Sequence, residues 1–155
     1  MYLFLKKYKS KNKWDMWAAT DPDLETEIIG SYEVSVSDNM DMVMETTRQL
    51  REFCNAHQLG TGKSFRICLA VEEIAGNIVE HGFTGKKGKH FIDLRLTLEK
   101  DGSGCLSLRD NGVKFNPLEY RNKDTQYGLA IIRGISEKID YHYVASMNCL
   151  NVIIR

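Results

Sequence analysis

Between Ile92 and Glu99, the apolar residues Ile92, Leu94, Leu96 and Leu98 alternate with Asp93, Arg95, Thr97 and Glu99. A period of two describes a strand with one buried and one polar face. The turn Lys100-Asp-Gly-Ser-Gly104 follows, and Cys105-Leu-Ser-Leu-Arg-Asp110 resumes the alternation, which makes an antiparallel hairpin. A hairpin with one apolar face needs a second layer to cover it, and the flanking segments read as that layer. Asp38 or Asn39 caps a helix running to about Gln58, with Val43, Leu50, Phe53 and Cys54 on its inner side. Gly60-Thr-Gly62 interrupts it, and a second helix spans about Lys63 to Glu80. A third, apolar helix spans Gly128 to Lys138. Tyr32, Val34 and Val36 mark another half-buried strand, and two more occupy about Ile139–Val144 and Cys149–Arg155. The expected fold class is α+β: a two-layer α/β sandwich, its sheet mixed but mostly antiparallel, with about three helices on one face.

A chain of 155 residues is one domain by length and can bury a substantial core. Lys plus Arg and Asp plus Glu number 21 each, so no net field draws in nucleic acid and partners must be chosen by local surface. Cys54, Cys68, Cys105 and Cys149 stand far apart, without CxxC or metal-type spacing, and read as reduced thiols of a cytoplasmic protein. No stretch approaches the ~18–20 apolar residues of a membrane span. Residues 1–30 read differently from the rest. Lys6, Lys7, Lys9, Lys11 and Lys13 follow a short apolar scrap and precede an acidic stretch, as in a solvated arm or linker. The same pattern fits a juxtamembrane junction, if the chain continues a truncated membrane protein. Residues 31–155 form the expected domain.

Three features carry chemistry. Glu73, Asn77 and His81, spaced i, i+4, i+8, lie along one side of an otherwise apolar helix. Polar groups on such a helix need partners, and a helix cap or core hydrogen-bond network would serve as well as a ligand. Asp110 shares the parity of Leu106 and Leu108, so its carboxylate faces inward and needs a donor; an adenine exocyclic amine is one candidate. Asn111-Gly112 permits close backbone approach, though the same pair also makes an ordinary turn. Gly128-Leu129 opens a helix whose free N–H groups favour phosphate.

Taken in order, these segments resemble the three nucleotide-binding boxes of the GHKL (Bergerat-fold) ATPases. Val71-Glu-Glu73-Ile-Ala-Gly-Asn77-Ile-Val-Glu-His81-Gly82 matches the first box, and Asp110-Asn-Gly112-Val-Lys-Phe115-Asn-Pro117 matches the second. The DxGxxFxP form of the second is most similar to the anti-sigma-factor serine/threonine kinase branch. The resemblance implies ATP as ligand, with Asn77 holding Mg²⁺ against the phosphates and Glu73 as general base for a protein serine hydroxyl. It implies Asp110, Gly112 and Phe115 around the base, Gly128 and Leu129 at the phosphates, and His81 near the ligand. Asn151 stands where a threonine of the last strand commonly helps fix adenine. The implied partners are an antagonist of the anti-anti-sigma type, a sigma factor, or both, with homodimerisation common in the family.

Thr125, Gln126 and Tyr127 stand where relatives usually carry glycines before the third box. A nucleotide-sensing module without phosphoryl transfer is therefore the alternative function. A histidine-kinase catalytic domain would need a longer lid and a preceding phospho-acceptor helix. Gly60-Thr-Gly62-Lys63-Ser64 imitates the end of a P-loop, but His57 occupies the place of its first glycine.

Overall fold

The hairpin of Ile92–Asp110 lies inside a five-stranded sheet, in the computed structural model describing residues 27–119 and 126–155. Its strands are β1 (Ile28–Val36), β2 (Ile92–Glu99), β3 (Gly104–Asp110), β4 (Lys138–Val144) and β5 (Met147–Ile154). They are ordered β1-β2-β3-β5-β4, and every pair is antiparallel, so the mixed sheet expected from sequence is antiparallel throughout its described strands. β1 begins at Ile28, inside the stretch assigned to an arm. The lysine-rich part of that arm and the proposed juxtamembrane junction lie outside the described residues.

Register aligns the apolar faces. Val34, Leu94, Leu108, Leu150 and Tyr141 form one row across the sheet, and Tyr32, Leu96, Leu106, Val152 and Ile139 the next. Leu94, Leu96, Leu106 and Val152 in these rows are at most 1% exposed. Each such side chain contributes roughly 1.5–3 kcal/mol relative to an exposed one.

Three helices cover this face: α1 (Met40–Ala56), α2 (Thr61–Asn77) and α3 (Gln126–Ile135). Asn39 caps α1, its side chain accepting from Asp41 N–H at 2.8 Å and Met42 N–H at 3.3 Å. Val43, Thr47, Leu50 and Cys54 recur every three or four residues on its buried side. Buried Thr46 and Thr47 satisfy their hydroxyls on the carbonyls of Met42 and Met44. α2 is the middle helix, packed against α1 and α3, with Ile67, Ala70, Val71 and Ile74 in the core.

Three boundaries differ from the sequence expectation. α2 does not run regularly to Glu80; Ile78–Gly82 forms a wider π-helical turn. α3 starts at Gln126 rather than Gly128, and ends at Ile135 because Lys138 already belongs to β4. The P-loop lookalike is the start of α2, with Ser64 buried in the core. All four cysteines are free thiols. Among the described residues no helix is long and apolar enough to cross a membrane.

Candidate functional site

A cavity of about 500 Å³ opens between the helical layer and the ends of β3, β4 and β5. It brings together Glu73, Asn77 and His81 from α2 and its π turn, Asp110 and Phe115 from β3 and the loop after it, and Gly128 and Leu129 from α3. Its walls are mostly apolar, from Ile74, Leu108, Ile132, Ile139 and Leu150. Such a lining, with a few convergent polar groups, is the usual make-up of a small-molecule site.

At the deep end, Asp110 is 5% exposed. Its Oδ1 accepts from the backbone N–H of Gly112 at 2.8 Å and from Asn148 Nδ2 at 3.0 Å. Burial pushes its carboxyl above the usual range, and the two hydrogen bonds oppose that shift. Both bonds fall on Oδ1, and neither uses Oδ2.

Gly112 is required by packing. A Cβ there would lie 2.5 Å from the carbonyl oxygen of Gly82 and 2.7 Å from Asp110 Oδ1. The same Gly82 carbonyl accepts from Val113 N–H at 2.8 Å. The π turn therefore presents a carbonyl that ties the first sequence box to the second; such turns recur at functional sites. The Asn111 side chain pins the preceding loop, accepting from Phe91 N–H at 3.1 Å and donating to the Lys89 carbonyl at 2.7 Å.

At the other end, α3 meets α2. A Cβ on Gly128 would lie 2.7 Å from Glu73 Oε2 and 3.3 Å from Asn77 Nδ2. Gly128 sits in the first turn of α3, where backbone N–H groups have no partner within the helix. The half-buried Glu73, the exposed Asn77 amide and these N–H groups thus share one small region. His81 lines the cavity too, but it is largely exposed, with Nε2 3.6 Å from Glu80 Oε2.

Asn151 is placed differently from the expectation. It pairs with Ser107 across β3 and β5, and accepts from the Ser107 hydroxyl at 2.6 Å on the sheet face away from the helices. On that face Arg109 Nη2 also bonds Asp93 Oδ2 at 2.5 Å. Successive strand residues alternate faces, so a residue three positions from Asn148 points to the opposite side. Asn148 lines the cavity instead, opposite Asp110 in the ladder. Sequence reasoning missed it, although it shares the parity of Leu150, Val152 and Ile154, and that signal was available. Tyr141 and Lys114, also on the cavity wall, were not singled out either. Lys114 Nζ stands 5.1 Å from the centre of the Tyr143 ring.

The family model of the histidine kinase-like ATPase domain matches residues 36–154. No curated protein sequence matches the chain significantly. Among solved structures, the RsbU and RsbW domains of a Mycobacterium tuberculosis protein superpose with a TM-score of 0.61 at 19% identity, covering 81% of this chain and 32% of that one. The SiaB–SiaC complex from Pseudomonas aeruginosa gives a TM-score of 0.61 at 15% identity, covering 83% of this chain and 90% of the matched chain. The histidine kinase domain of a blue-light-activated kinase from Erythrobacter litoralis gives 0.50 at 14%, covering 77% of this chain and 61% of that one. At these identities the likeness is one of fold.

Proposed function

This chain belongs to the histidine kinase-like ATPase family, and from that premise we propose that it is an ATP-dependent regulatory kinase acting on a serine or threonine of a partner protein. The observation that carries the reading is the single cavity in which Glu73, Asn77, Asp110 and Gly128 meet. Adenine belongs at its deep end, where the Asp110 carboxylate accepts from the exocyclic amine between apolar walls. The phosphates belong at the opposite end, where the first turn of α3 supplies N–H donors.

Phosphoryl transfer rests mainly on positioning and charge neutralisation. Mg²⁺, when bound, would supply that neutralisation at the phosphates. Asn77 suits it, since an exposed amide offers a neutral oxygen and Mg²⁺ takes few protein ligands while keeping several waters. Among the described residues there is no group of three or more His, Cys, Asp or Glu that could hold a metal ion. Glu73 is then the general base: it orients the attacking hydroxyl and takes its proton, the hydroxyl oxygen bonds the γ-phosphorus, and the bond to the β–γ bridging oxygen breaks to release ADP. The partner is an antagonist protein of the anti-anti-sigma type, a sigma factor, or both. The fold shared with an RsbW domain and with the SiaB–SiaC complex favours that class.

Calorimetric titration with ATP and Mg²⁺ tests the site, and absence of binding would sink the proposal. Transfer of labelled phosphate to a candidate partner tests the chemistry. Glu73→Ala is expected to slow transfer about 100-fold or more while leaving nucleotide affinity within a few-fold, as for loss of a general base. A second reading, a nucleotide sensor without turnover, is favoured by Thr125, Gln126 and Tyr127 in place of glycines before Gly128. It predicts ATP binding with no transfer in the unaltered protein.

A further inference from the structure

We propose that Asn148 and Tyr141 form a positioning clamp that aims the Asp110 carboxylate, and that this clamp sets the preference for a base carrying an amino group. The inference rests on the nucleotide reading above.

Asn148 is 7% exposed and lies opposite Asp110 in the β3–β5 ladder. All four hydrogen-bonding positions of its side-chain amide are filled. Its Oδ1 accepts from the Tyr141 hydroxyl at 2.7 Å and from Phe115 N–H at 3.0 Å. Its Nδ2 donates to Asp110 Oδ1 at 3.0 Å and to the Val113 carbonyl at 2.9 Å. The two backbone partners fix which end of the amide is oxygen, because a flipped amide would face a donor with a donor and an acceptor with an acceptor. Burial raises the Tyr141 hydroxyl above its ordinary range, which keeps it a neutral donor.

A fully committed amide has nothing left for a ligand. Asn148 therefore acts through Asp110: with Gly112 N–H it occupies Oδ1, and both bonds leave Oδ2 to a ligand in the cavity that Asp110 lines. The same bonds to Val113 and Phe115 tie the loop after β3 to β5, so the wall beside the base and the carboxylate are set by one side chain. An ionised carboxylate aimed this way rewards a ring amine and repels a ring carbonyl. Tyr141, from the edge strand β4, anchors the amide from behind.

The test compares ATP with purine riboside 5′-triphosphate, which lacks the 6-amino group, by calorimetry on the full chain with Mg²⁺. The unaltered protein is expected to favour ATP about tenfold or more, the worth of a hydrogen bond to a charged acceptor. Asn148→Leu is expected to bring that ratio close to one, and Tyr141→Phe to lower it severalfold with less disturbance of the fold. Circular dichroism checks that each variant folds. A purely structural role weakens both nucleotides equally and keeps the ratio; that result in folded Asn148→Leu or Tyr141→Phe overturns the proposal. An unaltered protein that binds both nucleotides equally overturns the proposal but leaves the nucleotide site standing. If it binds neither, the functional reading fails as well.

Discussion

Asp110 carries a conflict that its surroundings only partly resolve. Its carboxyl is buried among apolar walls and shifted above the ordinary range by that burial, despite two donors on Oδ1. A carboxyl with a raised folded pKa stabilises the fold below the ordinary carboxylate range, and that stabilisation is withdrawn as pH rises through the raised value. Ionising this group in its buried site therefore costs stability, and the charged form is held for the ligand it would meet. Asp110→Asn keeps an acceptor for Gly112 and Asn148 while removing the charge. It is expected to raise the unfolding midpoint at pH 7 by about 2–4 °C, the shift that about 1 kcal/mol makes in a domain of this size. In the same variant ATP affinity should fall at least about tenfold. Thermal scans and titration on one preparation measure both, and a variant that is less stable yet binds ATP normally contradicts the assignment. At this scale, sequence parity was enough to turn Asp110 inward. Parity with Leu150 and Val152 likewise puts Asn148 on the inner face and Asn151 on the outer one, but that Asn148 stands against Asp110 depends on which strand lies beside β3.

Elements meet at two glycines, and their substitution should have opposite consequences. At Gly112 an added methyl meets the Gly82 carbonyl, a backbone atom of the π turn that already holds Val113 N–H. Gly112→Ala must push one element from the other, and should cost about 1–3 kcal/mol in denaturant unfolding. At Gly128 the methyl meets the end of the Glu73 side chain, which can rotate away. Gly128→Ala should therefore fold nearly as well as the unaltered chain but lose phosphoryl transfer, because Glu73 and Asn77 are displaced where α2 and α3 meet. Equal losses of stability in the two variants would contradict this distinction. The helix stripe Glu73–Asn77–His81 was legible from spacing, and its first two members share the end of the cavity next to α3. The π turn was not legible, since nothing in Ile78–Gly82 departs from an ordinary helical pattern. It reflects packing of Gly82 against the second box, and it leaves His81 largely exposed beside Glu80.

Across the whole molecule, His90 joins segments far apart in sequence. Its Nδ1 lies 2.7 Å from Asp38 Oδ2, its Nε2 lies 3.0 Å from the Lys86 carbonyl, and its ring stacks on Phe83 with centroids 4.4 Å apart. The bond to Asp38, together with the Lys86 carbonyl, raises its pKa above the ordinary histidine value. The protonated form is therefore favoured by folding. That contribution is complete below the ordinary value near pH 6.5 and is lost as pH rises through the raised one. Urea midpoints for the unaltered chain and Asp38→Asn should differ most at about pH 6, below the ordinary histidine value, and converge as pH rises through the raised one. A gap independent of pH would show that the pair acts only through packing.

The sequence by itself determined the layering, because period-two and period-3.6 patterns record which face of each element avoids water wherever its neighbours lie. It also determined the ordered boxes, hence the family and the inward carboxylate at Asp110. Tertiary structure alone decided the strand order β1-β2-β3-β5-β4, which sets β5 beside β3 and so puts Asn148, not Asn151, against Asp110. It decided the contact of Gly128 with Glu73 as well, through the packing of α3 on α2. The reason is the same in both cases. Periodicity fixes the face a residue presents, whereas its neighbour across a sheet or between helices depends on connections that local patterns do not encode.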